Sequence, residues 1–415
     1  MSKVFVTGMG VISCVGNNLD SFWGNLCAGK CGIRQLQSLD TSALPVTIGG
    51  EVTDLDLKQV EFNGRLTAKR MDRSSLFAVL AAGQALTQAN IQGDQLGDPF
   101  AVVIGSGLSG IETLQHQTER FLKRGAGAVS PLTIPVLMPN APAANISLAY
   151  GITGPSYTIS SACSSSGHAL IDAYEMLKSG RAEIVIAGGT EASITNLGIA
   201  AFTKMRAMKT NYNNRPAAAI RPFSQDREGL VMSEGAAMLV LESEASLEKR
   251  GIAPLAEMTG YGSTMDAHHL VQPDPLGKGA AKAIRQALQS AGWSPGDIAE
   301  KTYVSAHGTG TPANDLMETL SLKEAFGQSA YQLAISSTKS MTGHMIGATG
   351  ALEMVACVQT MREGIIPPTL NYEHPDPECD LDYVPNVARH KEIQYTLNNS
   401  FAFGGHNVCL AMQKV

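Results

Sequence analysis

The chain has 415 residues, 44% of them hydrophobic and 16% charged, with 42 glycines and a formal net charge of −6. That length exceeds one ordinary core and calls for two domains or one large layered unit. The acidic balance argues against a nucleic-acid binder, and no run approaches the about 20 apolar residues of a membrane span.

MSKVFVTGMG enters a strand-like run at once, with no signal-peptide architecture, so a cytoplasmic protein is expected. TGMGVIS, at 7–13, looks superficially like a dinucleotide loop. It lacks the third glycine and the acidic residue about 20 positions on, so it reads as a tight strand-to-loop turn. Seven cysteines without a CxxC make no disulfide framework, and Cys27 and Cys31 lack a second ligand pair, so no metal is expected. Short apolar runs at 4–6, 100–104, 184–187, 236–241, 302–305 and 332–335 alternate with helical patterns at 74–89, 169–178, 279–291 and 316–326. Such alternation predicts an α/β fold with sheets buried on both faces. An internal echo joins 160–188 to 336–367: each has a Ser-Ser start, a Gly-His and a helix closed by a glycine, Gly180 or Gly364. Two similar halves around one site are the implied plan.

YTISSACSSSGHAL, at 157–170, sets one thiol among the smallest side chains, between a strand pattern and a helix pattern. A helix start favours a thiolate, and small neighbours let a carbonyl approach sulfur, so Cys163 reads as a nucleophile with a depressed pKa. The competing reading is an inert buried cysteine. YVSAHGTGT, at 303–311, and SSTKSMTGHMIGATG, at 336–350, place His307 and His344 in equally small-rich loops after strands. Either histidine alone is as easily structural; a thiol and two imidazoles in matching settings point to one cleft. SFAFGGHNVCL, at 400–410, is a hairpin turn that could also offer a backbone N–H to an oxyanion.

SSAC at 160–163, HGTGTPAND at 307–315, STKSMTGH at 337–344, PPTLNYEHPDPECDLDYVPN at 367–386 and FAFGGHN at 401–407 together resemble the beta-ketoacyl-acyl-carrier-protein synthases of the thiolase superfamily, essentially end to end. The resemblance implies a five-layer α/β/α/β/α sandwich of two pseudo-repeated halves, here 1–251 and 252–415. It implies decarboxylative Claisen condensation, with Cys163 holding the acyl chain and His307 and His344 promoting decarboxylation of a malonyl thioester. Whether His307 acts as base for a water or as a second donor stays open. The N–H groups of Cys163 and Phe403 would form the oxyanion hole, with Phe403 as a gate. Lys339, Glu353, Asp315 and Glu318 would form a charged support shell.

By the same resemblance, Thr309, Thr311 and Val271 would meet phosphopantetheine, Leu108 the acyl pocket floor, and Arg65, Lys69, Arg70 and Arg206 an acidic acyl carrier protein. No bound cofactor is implied, since substrates arrive on the carrier's phosphopantetheine. A homodimer, or a heterodimer with a chain-length-factor homologue, is the implied assembly. The sequence departs from the fatty-acid pattern in the three serines after Cys163, in His406, and in Val271, where threonine is common; a secondary polyketide or polyene pathway therefore competes with fatty-acid synthesis. A non-catalytic partner subunit predicts loss of the nucleophile, against the presence of Cys163. A CoA-dependent thiolase needs a second catalytic cysteine, and Cys409 lies beyond the turn in a strand pattern.

Overall fold

The computed structural model describes residues 3–55, 57, 67–92, 100–209 and 211–415. Ten strands hydrogen-bond into one continuous run: β1 (Val4–Ser13), β2 (Phe100–Gly105), β3 (Ser156–Ile159), β4 (Ile184–Glu191), β5 (Gly235–Ser243), β6 (Ala256–Met265), β7 (Thr302–Ser305), β8 (Ala334–Ser336), β9 (Tyr395–Ala402) and β10 (His406–Gln413). Their order is β8-β7-β9-β10-β6-β1-β5-β4-β2-β3. Divided between β6 and β1, the run becomes two five-stranded blocks with one plan. In each, the first strand pairs antiparallel with the fifth and the fifth with the fourth, while the second lies parallel to both the fourth and the third. The seam is short, from Val4 opposite Met258 to Val6 opposite Ala256.

Seven helices bear on the argument: α1 (Arg73–Gln88), α2 (Ile111–Arg124), α3 (Ala141–Tyr150), α4 (Ser165–Lys178), α5 (Lys278–Ala291), α6 (Pro312–Phe326) and α7 (Thr349–Glu363). α1 and α3 cover the outer face of the first block, and α5 and α6 that of the second. α4 packs on β2 and β4, α7 packs on β5 and β9, and the two helices touch each other between the blocks. The result is the expected five-layer thiolase-like arrangement. Thr349 through Met361 of α7 are all buried, as a helix enclosed on every side must be.

The glycine motif at the amino terminus is not a turn. Gly8 and Gly10 lie within β1, where a Cβ on Gly10 would sit 2.0 Å from the Ala81 carbonyl oxygen of α1. Gly260 and Gly262 repeat the device in β6, where a Cβ on Gly262 would sit 1.8 Å from the Ala283 carbonyl oxygen of α5. TGMG and TGYG are therefore equivalent positions of the two halves. Bare backbone lets each outer helix press directly on its sheet.

Candidate active site

β3 runs into Ala162, whose φ of 52° is left-handed, and the chain turns sharply into a 3₁₀ turn, Ala162–Ser164, that leads without a break into α4. Alanine carries the smallest side chain that can bear this conformation at modest strain. The three serines after Cys163 fasten the turn. Ser165 Oγ accepts from Ser161 N (2.9 Å) and donates to the Ala162 carbonyl (2.7 Å). Ser164 Oγ donates to Ser400 O at 3.0 Å, and Ser166 Oγ accepts from Ala351 N at 3.0 Å, so both tie the Cys163 turn to the second half.

His344 follows a single helical turn, Lys339–Thr342, and its backbone is clamped to 231–233: His344 N donates to Val231 O (2.8 Å) and Ser233 N donates to His344 O (2.9 Å). Its Nε2 lies 3.0 Å from Cys163 Sγ, and its Nδ1 lies 3.0 Å from Thr349 Oγ1. A hydroxyl both donates and accepts, so Thr349 serves either tautomer. His307 sits at the exit of β7, with its ring 5.5 Å from the His344 ring and nearly perpendicular to it, and 5.9 Å from Phe401. Its Nδ1 is buried and has no hydrogen-bond partner among the described residues.

The acidic residues act on backbone rather than on imidazoles. Glu318, on α6, accepts from His307 N and Gly308 N, each at 2.8 Å, and from Asn399 Nδ2 at 3.1 Å. Asp315 accepts from Phe223 N (2.8 Å) and Gly310 N (3.2 Å). Lys339 and Glu353 form a fully buried ion pair at 2.5 Å. Burial pushes the Glu318 and Glu353 carboxyls up to about 7 despite these partners.

Cys163, His307, His344, Thr309, Thr311, Val271 and Phe403 line one cavity of about 180 Å³. Phe403 stands half-buried at its edge with its ring 6.2 Å from that of Phe202. It precedes Gly404 and Gly405, whose φ values of 85° and 86° close the β9–β10 hairpin as only glycine does comfortably. Gly404 N donates to Leu270 O at 2.7 Å, fixing the hairpin to the segment that carries Val271. Leu108 is 38% exposed and does not line this cavity. Arg206 is exposed between the lining residues Met205 and Ala207. Lys69 and Arg70 lie exposed on a 3₁₀ turn and do not line the cavity, and Arg65 falls outside the described residues. Thr349, Asn399, Phe401 and Asn407 are the site residues that sequence reasoning missed. Thr349 had a legible signal, a lone hydroxyl closing the small-residue loop five positions after His344.

One sequence expectation is reversed. Burial pushes the Cys163 thiol up to about 12, outweighing the Lys339 charge and the N–H groups of Phe403 and Cys163, which pull it down. Burial also holds both imidazoles well below their usual value, with Lys339 adding to the effect. The resting pair is neutral thiol and neutral imidazole. Thiolate therefore grows about tenfold per pH unit below that value. The Cys163 alkylation rate with iodoacetamide is expected to climb steadily from about pH 6 to about pH 10 with no plateau. A plateau near neutrality would reveal a thiolate–imidazolium pair instead.

The chain matches the family described as beta-ketoacyl synthase, N-terminal domain, over residues 1–246, and beta-ketoacyl synthase, C-terminal domain, over 255–373. It belongs to the beta-ketoacyl synthase family. The synthase is 43% identical over 413 residues, 99% of this chain and 98% of the relative, to 3-oxoacyl-[acyl-carrier-protein] synthase 2 of Synechocystis sp.. Among solved structures it resembles the ishigamide ketosynthase/chain length factor, with a TM-score of 0.92 and 31% identity over 100% of this chain and 99% of that one. It also resembles a type II polyketide-synthase acyl-carrier protein in complex with its ketosynthase bound to the hexaketide, with a TM-score of 0.91 and 30% identity over 100% of both chains.

Proposed function

We propose that Cys163, His307 and His344 carry out the condensation for which this family is named. As a beta-ketoacyl synthase the chain is a condensing acyltransferase, a 3-oxoacyl-[acyl-carrier-protein] synthase. The observation that carries the residue assignment is the 3.0 Å approach of His344 Nε2 to Cys163 Sγ inside a cavity that His307 also lines.

In the first half-reaction the thiol attacks an acyl thioester on the carrier's phosphopantetheine. His344 Nε2 takes the sulfur proton and returns it to the departing pantetheine sulfur, so the acyl group moves and no net proton is released. The N–H groups of Cys163 and Phe403, both of which act on the sulfur's pKa, suit the tetrahedral oxyanion. In the second, malonyl thioester loses CO2, its two bonding electrons form an enolate, and the enolate carbon attacks the acyl carbonyl. The carbon–sulfur bond to Cys163 breaks and the thiolate takes up a proton. Neutral imidazoles held by Thr349 and by the Glu318-bonded loop are preorganised donors for the enolate oxygen. Lys339 and Glu353 set the local field, and Asp315 and Glu318 hold the His307 loop. Thr309, Thr311 and Val271, on the cavity wall, would meet the pantetheine arm, with Phe403 as its gate and Leu108 at the far end of the acyl chain.

The proposed partner is an acyl carrier protein that brings all substrates on phosphopantetheine, with no further cofactor. Exposed Arg206 between two lining residues fits an acidic partner at the cavity mouth. Arg206→Glu is expected to raise KM for carrier-borne acyl chains roughly tenfold while changing kcat little, with a larger effect at low salt. Equal kcat losses for carrier-borne and small-molecule thioesters would refute the carrier contact. Lys69 and Arg70, with Arg65, are proposed as further carrier contacts and should give smaller shifts.

A dimer fits the outer side of β3, which no strand among the described residues pairs, and the exposed Leu114, Phe121, Leu122 and Ile134. Either a second copy or a chain-length-factor homologue could cover them. A boundary between halves at 251/252 fits Gly251, left-handed at φ 63° just before β6. A cytoplasmic location is proposed; among the described residues no helix is long and apolar enough to cross a membrane. The deciding experiment is intact-mass detection of acyl-Cys163 against a panel of acyl carrier proteins, with the oligomer composition recorded. Absence of an adduct with every carrier would overturn the proposal.

A further inference from the structure

Glu191 ends β4, wholly buried, and beyond a charge that helps raise the Cys163 thiol's pKa it has no role in the chemistry above. Its carboxylate is a four-way junction. Oε2 accepts from Gly107 N (2.8 Å) and Gly347 N (3.0 Å), while Oε1 accepts from Leu108 N (3.0 Å) and Ser193 Oγ (2.8 Å). The loop leaving β2 and the loop between His344 and Thr349 are thus fastened to one side chain. They meet almost without side chains between them: a Cβ on Gly347 would lie 2.4 Å from Gly107 N, and one on Gly107 would lie 2.9 Å from Ile346 Cγ2. Ile346 itself has a left-handed φ of 45°, which a β-branched residue tolerates poorly unless its surroundings impose it. Its side chain belongs to the same buried apolar cluster as Cys163, Ile194, Ile199 and Phe202. Cys163 alone of these five also lines the cavity, so an acyl chain that left the sulfur on its packed side would enter among the other four.

We propose that Glu191 is a positioning and specificity-determining residue, a latch that closes the Gly107–Leu108 loop onto Ile346 and so bounds the space beside Cys163 that an acyl chain can occupy. The proposal rests on the reading of Cys163 as the acyl-bearing nucleophile. Buried carboxylates that accept several backbone N–H groups hold loops firmly, because no water can replace the bonds when they open. The same oxygen that holds Gly107 also holds Gly347, so the wall of this space and the His344 loop share one anchor.

Glu191→Gln separates the two arms. The amide oxygen can keep Gly107 and Gly347, but the amide nitrogen faces the Leu108 N–H donor to donor, so the Leu108 side is released. Purified full-length variant and parent would be offered carrier protein loaded with butyryl or palmitoyl chains, with acyl-Cys163 followed by mass. Malonyl carrier protein decarboxylation and thermal unfolding would be recorded alongside. Loss of one hydrogen bond to a charged acceptor corresponds to about a tenfold effect, so the palmitoyl-to-butyryl ratio of acylation rates is expected to rise about tenfold, beyond any change in decarboxylation. Ser193→Ala, which removes a single bond from Oε1, should move the ratio the same way by about threefold, and it carries the test if Glu191→Gln does not fold. An unmoved ratio, or equal slowing of both chains and of decarboxylation, would overturn the latch. A parent protein that takes up neither chain would instead sink the nucleophile reading on which it rests.

Discussion

Replacing Cys163 with alanine is expected to abolish acyl transfer, by at least about 10³-fold, while CO2 release from malonyl carrier protein persists. The two half-reactions use different atoms of one cavity. On the proposed assignment, sulfur is needed only where a covalent thioester forms, whereas decarboxylation needs donors for an enolate oxygen, supplied by His344 and His307. The substitution is gentle. Alanine keeps the Cβ at a buried turn, leaves the Ser164, Ser165 and Ser166 fastenings in place, and removes one sulfur from the apolar cluster it shares with Ile346. Intact mass would show no adduct with any acyl carrier protein, and radiolabelled malonyl carrier protein would still lose CO2. An acyl adduct surviving on the variant would assign the nucleophile elsewhere; loss of both activities together would mean the turn had collapsed.

The residues that the structure gathers in one cavity could be picked out along the chain because their neighbours are so poor in bulk. A thiol and two imidazoles set among small residues stand out along the chain, although the structure buries most of those small residues. The support was harder to read. Asn398 and Asn399 are buried inside β9, where periodicity expects apolar residues, and each earns its place through a specific acceptor: the Gly350 carbonyl for Asn398 and Glu318 for Asn399. β6 escaped notice because Gly260 and Gly262 weaken a strand pattern, although those glycines are what the neighbouring helix requires. TGMG was misread for the same reason: a glycine that admits a close helix is indistinguishable, along the chain, from one that makes a turn. The thiol's ionisation was misread because a helix start is visible in sequence but complete burial is not, and here desolvation outweighs the nearby donors.

His344→Ala is expected to slow malonyl decarboxylation about 10²- to 10³-fold, the usual cost of deleting one preorganised donor to a developing oxyanion. The imidazole is buried with Nε2 against Cys163 and Nδ1 against Thr349, and the neighbouring His307 ring, 5.5 Å away, supplies one donor where the pair would supply two. Measured in the Cys163→Ala background, the loss reports decarboxylation alone, uncontaminated by acylation. His344→Gln, whose amide nitrogen can reach close to the former Nε2, should recover part of the rate; recovery would separate a donor's role from a packing role. His307→Ala should cost a similar factor, and the double variant less than the product of the two if both rings serve one oxygen as proposed. The electrostatics supply a signed check. Lys339 helps hold both imidazoles below their usual pKa, so neutral rings persist on the acid side of neutrality. Lys339→Met removes that charge and leaves Glu353 unpaired, so the histidine pKa values must rise and the acid limb of the decarboxylation profile must move to higher pH. A limb that stays in place would mean that neither imidazole's ionisation governs the step.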